Sequence, residues 1–206
     1  MKTKILILFL LNFLVFLTKK EKNQKFQTHK KPQKIKKKKI RLAFGSCFNN
    51  EKYSNRYDIF TNIADLNPDY WLWLGDIIYG DIKYLPFIYK YFSNEKIANL
   101  YKKLKFNKRK YNINKDYQKL LKTVKGSVFG IWDDHDYGKN DETSSNPNKD
   151  KSKKLFLDFL DDFTYRRKKG RGLYDSYYLD SGYNVKLILL DAHYDKKGED
   201  DLGKKF

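Results

Sequence analysis

Three short apolar runs, each followed at once by potential metal ligands, constrain this chain more than any other feature. The segments that contain these ligands are Leu42–Cys47, Leu74–Asp81 and Trp132–Asp141. A side chain at the carboxyl end of a strand faces the crevice where open α/β sheets bind ligands. Carboxylate oxygens from several such ends can converge on hard cations. The pattern therefore predicts an α/β domain with a metal site at one edge of a parallel sheet.

The rest of the chain alternates between strand and helix patterns, as expected of layered α/β proteins. Apolar runs predict strands over 40–46, 70–74 and 127–132, and a hairpin formed by 173–179 and 185–191. Helical patterns cover 57–66, 84–104, 116–124 and 153–163. Apolar residues at helical spacing predict the buried faces of the first and last helices: Ile59, Phe60, Ile63 and Leu66, then Leu155, Phe156, Phe159, Leu160 and Phe163.

The residues of the three blocks, and the order of the blocks along the chain, closely resemble those of one protein family. FGSC at Phe44–Cys47, LGDxIYGD at Leu74–Asp81 and WDDHDxGxND at Trp132–Asp141 look like motifs of the PhoD-like (alkaline phosphatase D) branch of the calcineurin-like metallophosphatases. The likeness extends from about Arg41 to the last residue. It implies the N-terminal part of a four-layer α-β-β-α sandwich. Because family members continue with further histidine-bearing strand ends, residues 40–206 are expected to be a C-terminally incomplete catalytic domain.

The resemblance also implies a dinuclear metal centre. Asp76, which directly follows Gly75 at a strand end, is expected to bridge two ions. Tyr79 and Cys47 would share one of them, a hard trivalent ion such as Fe(III), and Asp134 would bind the other. The family uses iron with calcium, so two or more ions, Fe(III) and Ca(II), are the expected cofactors.

Other residues of the blocks receive catalytic or supporting roles. His135 is expected to face the substrate and give a hydrogen bond or a proton to the leaving alkoxide. Asp133 and Asp136 would orient the ligands. Asn140 could bind a phosphoryl oxygen or a metal, and His193 is a weaker candidate for substrate contact. The predicted activity is hydrolysis of phosphomonoesters or phosphodiesters, with water activated by the metal ions.

Each of these residues also has an ordinary explanation. A single cysteine such as Cys47 is usually a small buried hydrophobe, and an aspartate such as Asp76 is often a turn residue or helix N-cap. A solvated loop would resemble the third block. The prediction depends on all three blocks occurring in family order.

The net charge of +19 is concentrated outside the predicted domain. Residues 18–41 carry twelve Lys and Arg against one acid, Glu21. Nucleic-acid-binding domains place basic residues on a folded surface, so no specific nucleic-acid partner is expected. A phosphate-ester substrate and an anionic membrane surface are the expected partners, and the chain is expected to be a monomer. Its single cysteine excludes an internal disulfide.

The N-terminus predicts entry into the secretory pathway. A nearly continuous apolar run over residues 5–17 follows Lys2 and Lys4, the order typical of a signal peptide. No clear cleavage site follows, which leaves an uncleaved anchor open. Residues 18–39 predict a basic, disordered linker, and a secreted or endomembrane location follows. The alternative function is a catalytically inactive fragment or paralogue that binds anionic surfaces through this Lys-rich tail.

Overall fold

The computed structural model describes residues 7–10, 13–16, 39–49, 58–81, 93–106, 113–125, 127–179 and 185–197. Near the N-terminus, strands β1 (Ile7–Leu10) and β2 (Phe13–Phe16) pair in antiparallel fashion. All but the last residue of the predicted linker lies outside the described residues, as does the predicted turn of the hairpin. Across the described ranges, no helix is long and apolar enough to cross a membrane.

A parallel sheet of three strands positions the ligand-bearing blocks. It contains β3 (Leu42–Gly45), β4 (Tyr70–Leu74) and β5 (Val128–Ile131), with β4 in the centre. Ala43 lies opposite Trp71, which in turn lies opposite Val128. The central strand β4 is buried from Trp71 to Leu74, as its continuous apolar run predicts, whereas Phe44 of β3 is 43% exposed. The predicted α/β class and all three strands are confirmed, and the carboxyl ends of the strands share one edge.

Helices cover one face of this sheet. They are α1 (Asp58–Asp65), α2 (Asn94–Phe106), α3 (Ile113–Thr123), α4 (Asp134–Tyr137) and α5 (Lys149–Leu160), followed by a 3₁₀ turn at Tyr165–Arg167. The core on this side is aromatic. Phe60 makes edge contacts with Trp73 and Tyr117, whose rings lie 5.9 and 5.1 Å away. Trp73 Nε1 donates a hydrogen bond to the Tyr117 hydroxyl at 3.1 Å, which satisfies two buried polar groups.

An antiparallel hairpin covers the other face. Strands β6 (Asp175–Leu179) and β7 (Val185–Leu189) pair as predicted. Leu72 and Leu74 of β4 pack in a buried apolar cluster with Leu179, Leu187 and Leu189 of the hairpin. Alternate residues of β4 therefore point to opposite layers, because side chains alternate along a strand. The order of layers is helices, parallel sheet and hairpin.

The predicted apolar faces of two helices are wrong in part. In α1, Ile59 and Leu66 are 49% and 72% exposed, while Phe60 and Ala64 are buried. Phe163 is 80% exposed because α5 ends earlier than predicted. Asp161 adopts a left-handed conformation with φ 55°, and the Asp162 amide bonds back to the Leu157 carbonyl at 2.9 Å. This geometry is a typical helix C-terminus.

A buried arginine protects the outer edge of the sheet. Arg166 donates from Nη2 to the Gly130 carbonyl of β5 at 2.7 Å and from Nε to the Leu173 carbonyl at 3.1 Å. Its Nη1 pairs with Asp162 at 2.9 Å. Unpaired edge groups invite association with other strands, so Arg166 both occupies a carbonyl of this edge and ties β5 to the segment leading into the hairpin.

Candidate metal centre

Two loops at the carboxyl edge of the sheet bring possible metal ligands together. Asp76 follows β4, and Asp134 with His135 begins α4 after β5. One ligand atom from each of these three residues lies within 4.8 Å of the others. Their side chains come from separate parts of the sequence, so the sheet is what assembles them. Such a cluster could hold a metal ion.

The loop after β3 joins the same centre. The Cys47 amide donates to the Gly75 carbonyl at 3.2 Å, and the Phe48 amide to the Asp76 carbonyl at 2.8 Å. Both Cys47 and Asp76 have positive φ, 56° and 50°. Non-glycine residues rarely adopt this conformation, and such strain concentrates at functional sites. The two hydrogen bonds thus hold the turn at Cys47 beside the turn at Asp76.

The side chains of Cys47 and Tyr79 both approach the same carboxylate oxygen of Asp76. The Tyr79 hydroxyl donates to Asp76 Oδ2 at 3.2 Å, and the Cys47 Sγ lies 3.8 Å from that oxygen. The other oxygen, Asp76 Oδ1, is buried and has no hydrogen-bond partner among the described residues. Leaving a buried polar atom unpaired is costly. A cation beside Asp76 would remove this cost, so the residues present fit a metal ion.

His135 forms a close pair with a carboxylate that the sequence reasoning did not single out. Asp81, which is 1% exposed, places Oδ1 2.6 Å from His135 Nδ1 and accepts from the Asn140 amide at 3.1 Å. Burial alone would lower the pKa of His135, but the hydrogen bond and charge of Asp81 raise it to about 9. The signal was present, because Asp81 is the last residue of the second motif.

The carboxylate of Asp136 contacts both of the loops that carry candidate ligands. Its fully buried carboxylate accepts from the amides of Ile77, Ile78 and Asp133, each at 3.2 Å, and from the Tyr101 hydroxyl at 3.0 Å. The loop after β4 and the loop after β5 therefore share one acceptor. Burial, followed by the charge of Asp76, raises the pKa of Asp136 to about 8. Asp136 thus connects the two loops, and its predicted role in orienting metal ligands stays a prediction.

Asn140 lies at the rim rather than among the candidate ligands. Its exposed side chain donates to the neighbouring Asp141 carboxylate, and only its backbone amide reaches into the centre, at Asp81. The Asp141 amide donates to Asp134 Oδ2 at 2.6 Å. The loop carrying these residues thus folds back over the carboxylates. Asn140 could meet a substrate there, but the structure gives its side chain no contact with Asp76, Asp134 or His135 in the described chain.

His193 is placed differently from the prediction of substrate contact. It is buried, with Nε2 2.7 Å from Asp133 Oδ1 and Nδ1 3.2 Å from the Glu142 carbonyl. Both ring nitrogens are therefore occupied by protein groups, and neither is open to a substrate. The predicted substrate role of His193 stays a prediction that these two ring contacts do not support. The sequence pattern could not show the contacts, because the partners lie 60 and 51 residues away.

Negative charge is concentrated at this edge of the sheet. Burial, and next the charge of Asp133, raises the pKa of Asp76 to about 6. Asp134 adds a further repulsive charge. Carboxylates held together in this way favour either protonation or a bound cation.

Comparisons with protein-family models, curated proteins and solved structures found no match to this chain. The fold and the site define an α/β protein with a candidate metal centre at the carboxyl edge of a parallel sheet. Its Asp76–Asp134–His135 cluster is supported by Asp81 and Asp136.

Proposed function

We propose that this protein is a metal-dependent phosphoric-ester hydrolase of the PhoD-like kind. One observation carries the proposal above all others. Asp76, Asp134 and His135 present ligand atoms within 4.8 Å of one another, and the buried Oδ1 of Asp76 lacks a hydrogen-bond partner within the described ranges. The second and third of the three motifs that resemble one phosphatase family supply these residues.

Two ion positions follow from the chemistry of the donors. The Tyr79 phenol, the Cys47 thiol and Asp76 would hold a trivalent ion such as Fe(III), for which a phenolate is a hard ligand. The second ion would be held by carboxylate oxygens of Asp134 and Asp76, which suit Ca(II). When bound, such cations lower the pKa of water and neutralise charge on phosphoryl oxygens.

His135 supplies the proton that the departing oxygen needs. Asp81 occupies Nδ1, which leaves Nε2 as the nitrogen that can act on a substrate. In the metal-free protein, the hydrogen bond and charge of Asp81 raise the pKa of His135 to about 9. A protonated imidazole can donate to the alkoxide of the leaving group as the phosphorus–oxygen bond breaks. Asn140, at the rim, is placed to meet a phosphoryl oxygen.

The layer order supports the fold that the resemblance implies. A helical layer, a parallel sheet and a further strand layer are three of the four layers of an α-β-β-α sandwich. Leu72 and Leu74 face the hairpin while Trp71 and Trp73 face the helices, so β4 already lies between two covered surfaces. We therefore assign the described residues to one side and the centre of such a sandwich.

The full chain, purified and incubated with iron and calcium salts, tests this function. We expect hydrolysis of p-nitrophenyl phosphate or bis(p-nitrophenyl) phosphate that Asp76→Asn abolishes. Asp65→Asn is the matched control, because Asp65 is exposed on α1 and pairs only with Lys119 at 2.6 Å among the contacts described for its carboxylate. Equal turnover by wild type and Asp76→Asn would exclude the proposal.

The iron position has a separate spectroscopic test. A phenolate bound to Fe(III) gives a visible charge-transfer band, so the iron-loaded protein should be coloured. Tyr79→Phe should lose the phenolate band and keep any absorption from the Cys47 thiolate, while Tyr177→Phe, on the hairpin, keeps both. An unchanged band in Tyr79→Phe would remove Tyr79 from the ligand set.

A further inference from the structure

We infer that His193 is a positioning residue that fixes Asp133 and, through it, the loop holding Asp134 and His135. The inference deepens the proposed function and depends on it. It gives the antiparallel hairpin, which contributes none of the Asp76–Asp134–His135 cluster, a direct structural connection to the metal centre.

The turn that presents His193 is fixed by one carboxylate. Asp191, at the end of the hairpin, accepts from the His193 amide at 2.9 Å and the Tyr194 amide at 3.0 Å. It also accepts from Trp132 Nε1 at 2.9 Å. Trp132 directly follows β5 and precedes Asp133. The turn is therefore anchored to the strand whose end it approaches.

The imidazole of His193 joins two points of the loop after β5. A carbonyl oxygen can only accept, so Nδ1 donates to Glu142 O at 3.2 Å. Nε2 lies 2.7 Å from Asp133 Oδ1. The Tyr137 ring stacks on the imidazole, with centroids 5.7 Å apart. Burial would lower the pKa of His193, but the hydrogen bond and charge of the Asp133 carboxylate raise it.

Both contacts reach the candidate ligands within one further step. The Asp133 carbonyl accepts from the amides of Asp136 and Tyr137, at 3.2 and 3.0 Å, and so begins the helix that carries Asp134 and His135. Just before Glu142, the Asp141 amide donates to Asp134 Oδ2 at 2.6 Å. His193 thus contacts the Asp133 side chain before Asp134 and the Glu142 backbone after it.

Removing the imidazole should loosen the metal site more than the fold. Loss of a group that orients a metal ligand typically costs about ten- to a hundredfold in metal affinity or activity. We expect the Kd for Ca²⁺ of His193→Ala, measured by calorimetry, to rise by about that factor. The kcat should fall by a similar factor with KM little changed, because His193 does not touch substrate.

Tyr194→Phe is the matched control. It lies in the same turn, but its hydroxyl donates to Asp150 on α5 at 2.9 Å and not to the metal loops. Tyr194→Phe removes one hydrogen bond between this turn and α5, and the Kd for Ca²⁺ and kcat should stay near their wild-type values. If His193→Ala does not fold, His193→Gln and Asp133→Asn carry the same test.

A double-mutant cycle completes the experiment. Groups that act through one contact show non-additive effects, so His193→Gln combined with Asp133→Asn should cost little more than either change alone. Additive losses, a wild-type Kd for Ca²⁺ in folded His193→Ala, or a raised KM with unchanged kcat would each overturn the inference. A wild-type chain that neither binds Ca²⁺ nor hydrolyses the esters overturns the proposed function instead, and this inference with it.

Discussion

Asp81 Oδ1 lies 2.6 Å from Nδ1 of His135, and the two residues are 54 positions apart in the chain. The carboxylate is almost fully buried, and its second oxygen accepts from the Asn140 amide at 3.1 Å. One side chain therefore fixes the ring orientation of His135 and the start of the loop that covers the centre. The orientation of the imidazole ring is therefore set by Asp81, and its other nitrogen, Nε2, is the one that the proposed proton transfer would use.

Asp81→Asn should lower kcat for ester hydrolysis by about ten- to a hundredfold, the usual effect of losing a group that orients an active-site residue. The amide keeps the shape but loses the charge, so the pKa of His135 should fall from about 9 toward its ordinary value. Histidine NMR titration of the metal-free protein measures that change. Asp65→Asn is the control, and an unchanged His135 titration would refute the pairing.

Tyr101→Phe should destabilise the protein by about 1–3 kcal/mol, because it removes a donor from the buried carboxylate of Asp136. Urea unfolding measures this loss. The control is Tyr165→Phe, whose ring is 61% exposed and whose hydroxyl donates to the half-buried Asp175. Surface changes of this kind usually stay within about 0.5 kcal/mol. Equal stability of the two variants would contradict the role given to Tyr101.

Arg166→Met should cost about 3–5 kcal/mol of unfolding free energy, since it leaves Asp162 without its buried partner and frees the Gly130 carbonyl. Arg167→Met should cost less, because Arg167 is partly exposed and pairs with Asp158, which is also partly exposed. Chemical denaturation of both variants provides the comparison. A larger loss in Arg167→Met would show that the sheet edge is not held as described.

The metal-free protein should lose stability as pH rises from about 5 to 9. The pKa values of Asp76, Asp136 and His135 are raised to about 6, 8 and 9, so the folded state holds protons that the unfolded chain has released. Stability falls with pH wherever the folded state binds more protons.

Metal binding should oppose this loss, because the ligands must be deprotonated. The Tm increase caused by Ca²⁺ should therefore be larger at about pH 8 than at about pH 5. Thermal scans with Ca²⁺ and with chelator measure it. A metal-free Tm that rises over this range would contradict the pKa shifts on which the prediction depends.

The strands and the ligand-bearing blocks were predictable from sequence because both are local. Buried strands appear in the sequence as apolar runs, and Cys47 and Asp76 each lie two residues beyond the end of a strand. Burial within helices was harder to predict. Leu66 and Phe163 fit an apolar face by spacing, yet each lies just beyond a helix end, where the chain turns away and exposes them.

Polar contacts between distant parts of the chain could not be predicted from the sequence. The roles of Asp81, Tyr101 and His193 depend on partners at least 35 residues away. No periodicity encodes such a contact, since it arises only when the sheet has assembled. The position of His193 at a strand end suggested substrate contact, but the sequence could not show that its ring contacts Asp133 and Glu142.

Crystallography of the full chain grown with iron and calcium salts, using anomalous scattering to locate the ions, tests the central claim most directly. We predict two cations about 3.5–4 Å apart, both contacting Asp76, with Cys47 and Tyr79 on one ion and Asp134 on the other. A map with no cation in contact with the Asp76 carboxylate, under conditions where both metals are in excess, would contradict the account.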